Sequence, residues 1–303
     1  MAEWSAEAVV DEELARRLIG GQAPEVELSS FELLGEGWDN TVWLVGGRWV
    51  FRFPRREIAV AGIARQLALL PAIAPALPLA IPVPVVVGRP ADGFPWPFSG
   101  HELLPGREPA ELASTDQERA GWARPLGEFL RALHDPALLE LDGVPELPID
   151  FNRRADMQRR GELLRNRLVE LAELGLWEPP PLVADVIRDA ELLGEPDALA
   201  LAHGDLHLRH LLVEGDRPTA VIDWDDVCRA DPSIDLVPYW SHLPAAARPS
   251  FLEAYGVPTD EQLLRARVLS LFLSGTLAVY ARREGLAALE GEAVGSLDRT
   301  VSG

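Results

Sequence analysis

Between Leu201 and Leu236 the chain reads LAHGDLHLRHLLVEGDRPTAVIDWDDVCRADPSIDL, with titratable residues on the outer side of each of two apolar runs. His203, Asp205, His207 and His210 precede the first run, Leu211–Val213. Asp223, Asp225 and Asp226 follow the second, Thr219–Ile222. Each run has strand length, and Gly215, Asp216 and Pro218 supply turn chemistry between them. A hairpin brings its outer ends together, so Asp205, His210 and Asp223 can converge on one small volume. Such a group suits a site that holds a divalent cation and positions a hydroxyl nucleophile. Taken singly, an aspartate or histidine before a turn can serve only to cap backbone groups. It is the combination that points to chemistry.

HGDxHxx(N/H)LL, the V-I-D-W strand end and the D-P-x-x-D-L segment together resemble the antibiotic phosphotransferase family, the aminoglycoside and macrolide kinases. The likeness extends to LGEGWDNTVWLVGGRWVFRFPRR, Leu34–Arg56. It implies an α+β, bilobal protein-kinase-like fold. A small antiparallel-sheet lobe over 1–105 would bind nucleotide, and a mainly helical lobe over 106–303 would carry catalysis and substrate. By the same resemblance Asp205 is the catalytic aspartate that accepts the substrate hydroxyl proton, and Asp223 is the principal magnesium ligand. His210 stands where most of the family has asparagine as second metal ligand. Histidine at this place is a feature of macrolide kinases and of some kinases of aminoglycoside 2''-hydroxyls, branches that often prefer GTP to ATP. Mg²⁺ favours oxygen ligands and imidazole suits Mn²⁺ better, so either ion is expected. His203 and His207 are expected to fix the loop by hydrogen bonds, and Asp231 and Asp235 to anchor the loop after the metal site. Asp225 replaces the glycine of D-F-G and is left as a metal contact or a solvated side chain.

These groups need elements to hold them. Strand, glycine turn, strand, Gly46-Gly47 turn and strand begin the first lobe. Gly35 and Gly37 fall at the glycine turn, where backbone amides can approach phosphate. Arg52 lies on the third strand, with Phe51 and Phe53 on the opposite face. The family holds a phosphate-pairing cation there, often lysine. The chain has no lysine, and all 28 basic residues are arginine, so arginine must serve. The helix pattern over Ala59–Leu70 places neutral Gln66 where a glutamate would pair with that cation. Glu57, the nearest acid, comes early, and a glutamine can orient an arginine by hydrogen bonding. SGHELLPG resembles the family's hinge, where backbone groups near Glu102 and Leu104 would meet the purine edge.

A helix is expected over Ala6–Ile19. In the second lobe helices are expected from Ser114-Thr115, over Asn152–Leu176 with its arginines on the wet side, over Pro180–Gly194, and over Thr259–Gly285 as a buried core helix. Tyr239, Trp240 and His242 read as core in preference to substrate lining. The tail after Gly291 reads as loosely ordered. With 303 residues and 48% hydrophobic content the chain is long enough to bury a core. Its net charge of -20 argues against nucleic acid and anionic membrane and would favour a cationic small molecule. Cys228 is the one cysteine, so no internal disulfide forms. No apolar run is expected to reach membrane-spanning length. The acidic N-terminus lacks a signal pattern, so the chain reads as cytoplasmic. The expected reaction is phosphate transfer from ATP or GTP to a hydroxyl of an aminoglycoside or macrolide. The alternatives are a kinase of a metabolic alcohol (choline-, homoserine- or sugar-like), and a nucleotide-binding pseudokinase in view of Arg52, Gln66 and His210.

Overall fold

The structure is a computed structural model that describes residues 6–37, 39–196 and 199–302. The chain forms two compact units. Unit 1 comprises Met1–Pro75, Ile81–Leu104 and Leu141–Pro145, and unit 2 comprises Ala76–Ala80, Pro105–Glu140 and Glu146–Gly303.

Unit 1 begins with helix α1, Glu12–Gln22. Strands β1 (Phe31–Glu36), β2 (Asn40–Val45) and β3 (Trp49–Pro54) follow, then helix α2 (Glu57–Ile73) and strands β4 (Val86–Gly88) and β5 (Phe98–Glu102). The sheet is antiparallel, in the order β1-β2-β3-β5-β4. Gly46 and Gly47 both take left-handed backbone (φ 60 and 63), and the Arg48 amide closes their turn on the Val45 carbonyl at 3.2 Å, so that three residues separate the paired Val45 and Trp49. The alternation expected on β3 is present. Phe51 and Phe53 bury completely with Phe94 and Phe98 against α1, whereas Arg52 points to the opposite side of the strand. Helix α1 starts later than the sequence pattern suggests. The Asp11 side chain accepts from the Leu14 amide and caps the helix, while the Val10 carbonyl accepts from Trp43 Nε1. Residues 6–10 are therefore drawn onto the sheet, which a local 3.6-residue pattern cannot register.

In unit 2, α3 (Asp116–Leu133) starts at a capping box between Thr115 and Glu118. Helices α4 (Met157–Glu173) and α5 (Leu182–Glu191) precede β6 (Ala200–Ala202). The hairpin β7 (Leu211–Glu214) and β8 (Arg217–Val221) follows, and β9 (Cys228–Ala230) returns to pair with β6. The chain ends with α6 (Val237–Ser241), α7 (Arg248–Tyr255), α8 (Asp260–Glu284) and α9 (Ala287–Val301). Tyr239, Trp240 and His242 are buried, in keeping with the core reading.

Three further expectations need correction. The segment after Gly291 is helical as far as Val301: Leu289, Ala293 and Leu297 recur every fourth residue and pack on α8, and Glu292 pairs with Arg119. Gly291 and Gly295 hide that stripe from a propensity reading. Helix α4 begins at Met157, not Asn152, because the Asp150 carboxylate takes the amides of Arg154 and Ala155 and holds them in a turn. Two segments do have the length and composition to span a membrane: Glu57–Ala76 with mean hydropathy 1.6 and Asp260–Glu284 with 1.4. The second is the helix around which unit 2 packs. Its Val268, Leu269, Leu271, Ala278 and Val279 lie in one core with α4, α5 and α9. Burial in protein accounts for its apolar centre.

Candidate active site

In unit 2 the hairpin does join the two ends of the motif. Leu211 pairs with Val221, and the Ile222 amide donates to the His210 carbonyl at 2.9 Å. Directly after β8, Asp223 takes left-handed backbone (φ 63), uncommon for a residue with a side chain. That turn sets its carboxylate 3.4 Å from His210 Nε2. On the near side of the hairpin, the Asp205 carboxylate lies 3.8 Å from His210 Nδ1 and 3.6 Å from His207 Nε2.

Each ring is fixed by backbone contacts that decide which nitrogen carries hydrogen. His203 is fully buried; its Nδ1 accepts from the Asp205 amide at 3.2 Å and its Nε2 donates to the Ile222 carbonyl at 2.9 Å. Burial holds its pKa below the usual histidine range, as a ring that must accept requires. His203 thus ties the loop to the strand end, as expected. His207 Nδ1 accepts from the Arg209 amide at 3.3 Å, so Nε2 carries the hydrogen that faces Asp205. Burial and the neighbouring His210 push its pKa down to about 3. His210 has the opposite arrangement. Its Nδ1 lies 2.8 Å from the Asp205 carbonyl, which can only accept, and in the neutral ring this leaves the Nε2 lone pair directed toward Asp223. A histidine whose other nitrogen donates to a carbonyl is the form that ligates metals.

Among the described residues, Asp205, His207 and His210 have potential ligand atoms within 4.8 Å of one another. The donor set sorts this group. His207 offers a hydrogen at Nε2 and not a lone pair, whereas His210 Nε2 and the Asp223 oxygen are both acceptors on one point. The latter pair fits a divalent cation. Asp225 is half-buried in the turn after Asp223.

Asp235 underpins the loop. Its two oxygens accept from the amides of His203 (2.7 Å) and Gly204 (3.0 Å), and His134 Nε2 lies 3.3 Å away. Asp231 caps the short turn ahead of α6 through the Ser233 amide, as expected of an anchor after the metal site, whereas Asp235 anchors the loop before the hairpin, at His203 and Gly204. Gly204 (φ 89) admits no Cβ, which would come within 2.3 Å of the Asp226 carbonyl.

One participant has no counterpart in the sequence reading. Arg154, in the turn before α4, donates from Nη2 to Asp205 Oδ1 at 2.9 Å and to Asp226 Oδ2 at 2.5 Å. Burial would raise the Asp205 pKa, yet Arg154, followed by His207 and His210, outweighs it and holds the carboxyl below the usual range. Asp150, an acid shortly ahead of an arginine turn, was the available signal.

In unit 1, Arg52 Nη1 donates to Gln66 Oε1 at 3.2 Å, and both side chains are buried. Gln66, and not Glu57, is therefore the α2 residue that orients Arg52; Glu57 sits in the first turn of the helix. Gly35 lies at a bulge of β1, and the Gly37 amide donates to the Asn40 carbonyl at 2.9 Å. Among the described residues, a Cβ at Gly35 would meet nothing within 4 Å, and one at Gly37 would come no closer than 3.6 Å to the Asn40 carbonyl. Packing against the described residues thus does not demand glycine at either position. Trp38 lies outside the described residues. In the SGHELLPG segment the Leu103 amide donates to the Arg48 carbonyl at 2.7 Å, and the Glu102 carbonyl lies 2.8 Å from His101 Nδ1. The Glu102 side chain pairs with Arg48 at 2.5 Å. Strand β5 lies between β3 and β4, and the Glu102 carbonyl keeps a second lone pair, so Glu102 and Leu104 both stay candidates for the purine edge.

The model of the phosphotransferase enzyme family matches residues 30–267, and the chain belongs to that family. Its fold is the α+β, protein-kinase-like fold of antibiotic kinases. The GDP and kanamycin complex of APH(2")-IIia superposes with a TM-score of 0.66 at 22% identity, over 94% of this chain and 97% of that one. The GDP complex of wild-type aminoglycoside 2'-phosphotransferase-IIIa gives 0.67 at 21% identity, over 96% and 98%. The apoenzyme of macrolide 2'-phosphotransferase MphH from Brachybacterium faecium gives 0.57 at 24% identity, over 93% and 98%.

Proposed function

We propose that the chain is an antibiotic kinase, which transfers the γ-phosphate of ATP or GTP to a hydroxyl of an aminoglycoside or macrolide. The observation that carries this reading is the grouping of Asp205, His210 and Asp223 on the two ends of one hairpin. Family membership supports phosphate transfer, and the kinases of like fold are named for aminoglycosides and macrolides. The net charge of -20 favours an acceptor that carries ammonium groups.

In this mechanism Asp205 Oδ2 orients the acceptor hydroxyl and takes its proton. The acceptor oxygen bonds to the γ-phosphorus, the bond to the bridging oxygen breaks, and the nucleoside diphosphate leaves with that electron pair. His210 Nε2 and Asp223 would hold a divalent ion, Mg²⁺ or Mn²⁺, which supplies charge neutralisation at the phosphates. Arg52, held by Gln66, pairs with phosphate oxygens through its planar fork. The Gly35–Gly37 segment brings backbone amides close to them, and backbone groups near Glu102 and Leu104 meet the purine. Most of the rate enhancement comes from positioning and charge stabilisation.

Two of these roles can be checked by substitution. Replacing His210 by asparagine substitutes an oxygen for the imidazole nitrogen, so H210N should keep activity and move the Mg²⁺/Mn²⁺ preference toward Mg²⁺. Steady-state rates across a titration of each ion measure this, and an unchanged preference makes His210 a loop-fixing residue. Placing a branched side chain in the glycine turn, as in G35V or G37V, should raise the nucleotide KM about tenfold, the cost of roughly 1.4 kcal/mol of lost phosphate contact. The urea midpoint should stay near wild type, because among the described residues no atom crowds a Cβ at either position. An unaltered KM removes the turn from the nucleotide site.

The reading is tested by mass spectrometry of aminoglycosides, macrolides and metabolic alcohols incubated with the chain, ATP or GTP, and Mg²⁺ or Mn²⁺. A gain of one phosphate on an antibiotic is the expected result. Phosphate on a metabolic alcohol alone reassigns the acceptor class, and bound nucleotide without transfer to any hydroxyl makes the chain a pseudokinase.

A further inference from the structure

We infer that Arg154 is a positioning residue for Asp205, which it grips by one carboxylate oxygen so that the other is presented to the acceptor hydroxyl. The inference rests on the kinase reading above. Three observations carry it.

The first is the shared grip. A single nitrogen, Nη2, donates to Asp205 Oδ1 at 2.9 Å and to Asp226 Oδ2 at 2.5 Å. The side chains are 12% (Arg154), 22% (Asp205) and 28% (Asp226) exposed, sheltered enough for the charge-assisted bonds to be strong and open enough for Asp205 to meet a substrate. Without the guanidinium, two carboxylates would face each other and Asp205 would turn away.

The second is the asymmetry at Asp205. Oδ1 is occupied, whereas Oδ2 has His207 Nε2 at 3.6 Å and His210 Nδ1 at 3.8 Å, both beyond hydrogen-bond reach. Oδ2 keeps its acceptor capacity for the hydroxyl proton. The third is how firmly the grip is mounted. Asp150 takes the Arg154 amide at 2.8 Å and the Ala155 amide at 2.9 Å, and its own amide donates to the Arg229 carbonyl on β9 at 3.0 Å. The Asp226 backbone lies against Gly204, so the second carboxylate is tied to the same loop as the first. A guanidinium that merely neutralised surface charge would not need this mounting.

The test is kinetic, on the acceptor found by the mass-spectrometric screen. Turnover and KM are measured for the wild type, R154Q, R154K and D226N, and nucleotide affinity by equilibrium titration. R154Q should lose on the order of 10²-fold in kcat, as expected for a misplaced reacting group, with nucleotide affinity within about twofold of wild type. Added guanidinium ion should restore part of the R154Q rate, and R154K should fall between the two, since it keeps the charge but not the fork. D226N, which keeps Arg154 but loosens it, should lose about tenfold in kcat. R154Q with kcat within about threefold of wild type overturns the inference. So does a loss that follows the fraction of folded protein and is not restored by guanidinium, because Arg154 would then be a structural strut. A wild-type chain that phosphorylates nothing sinks the kinase reading and this inference with it. An active wild type matched by R154Q sinks this inference alone.

Discussion

D205N should abolish most phosphate transfer, with kcat lower by on the order of 10³-fold, within the range expected for loss of a positioned proton acceptor. Asparagine keeps the shape of the side chain, and its amide oxygen can still accept from Arg154. The loop should not collapse, because its fixed points are the Asp205 amide on His203 and the two amides on Asp235, none of which involves the Asp205 carboxylate. The lost property is the ability of Oδ2 to accept a proton. Nucleotide affinity should therefore stay within about threefold of wild type while kcat falls. Single-turnover transfer and equilibrium nucleotide binding, measured on the same preparation, separate these effects. Retained turnover in D205N would assign the proton to another acceptor and remove the centre of the proposed mechanism. The low pKa of Asp205 suits this role, because at neutral pH the carboxylate is ionised and always ready to orient a hydroxyl.

The second large effect is on stability. D235A should cost about 3–5 kcal/mol, as expected when several buried donors lose one shared acceptor. Asp235 is fully buried and serves the His203 and Gly204 amides together with His134. Alanine leaves those donors in the interior with no acceptor, at about 1–3 kcal/mol each. D235N keeps one oxygen and should lose about half as much. Urea unfolding followed by tryptophan fluorescence measures both, with Trp224 stacked edge-on to His203 at 4.8 Å as a local reporter. The pH dependence has a definite sign. Burial alone would raise the Asp235 pKa, but the His134 hydrogen bond and charge, His203 and the Gly204 amide hold it below its ordinary 3.8. A depressed carboxylate pKa contributes stability in full above the unfolded value, and the contribution is lost as pH falls through the folded one. The wild-type advantage over D235N should thus be constant near neutrality and shrink below about pH 3.8. A D235A midpoint equal to wild type would show that other contacts hold the loop.

The local patterns of the chain reached far. Alternation placed Phe51 and Phe53 opposite Arg52, Gly46-Gly47 marked the tight turn between β2 and β3, and turn residues marked the β7–β8 hairpin. Each rests on neighbours close in sequence, where pleat and turn chemistry act. Gln66 was found by spacing, and the structure places it against Arg52. The misses share a cause. Arg154 read as one of the arginines on the wet side of a helix over 152–176, because the capping that unwinds this stretch comes from Asp150 and its partners lie 51 and 72 residues onward. Helix α9 read as tail because its glycines weigh against helix locally, whereas its apolar stripe gains only once α8 is there to cover it.

Sequence alone supplied the candidates for chemistry: two aspartates and a histidine at the outer ends of one hairpin, in a chain whose every side-chain cation other than histidine is an arginine. It determined the strand order of the first three strands and the helix faces that bury. The tertiary structure decided how those residues differ from one another. His203, His207 and His210 are the same side chain within eight positions, and only their backbone contacts give one a free lone pair toward Asp223 and the others a hydrogen or a buried acceptor. The grip of Arg154 on Asp205 was likewise decided by packing, because a charged pair distant in sequence leaves no local periodicity and forms only when the segments that carry it have folded together.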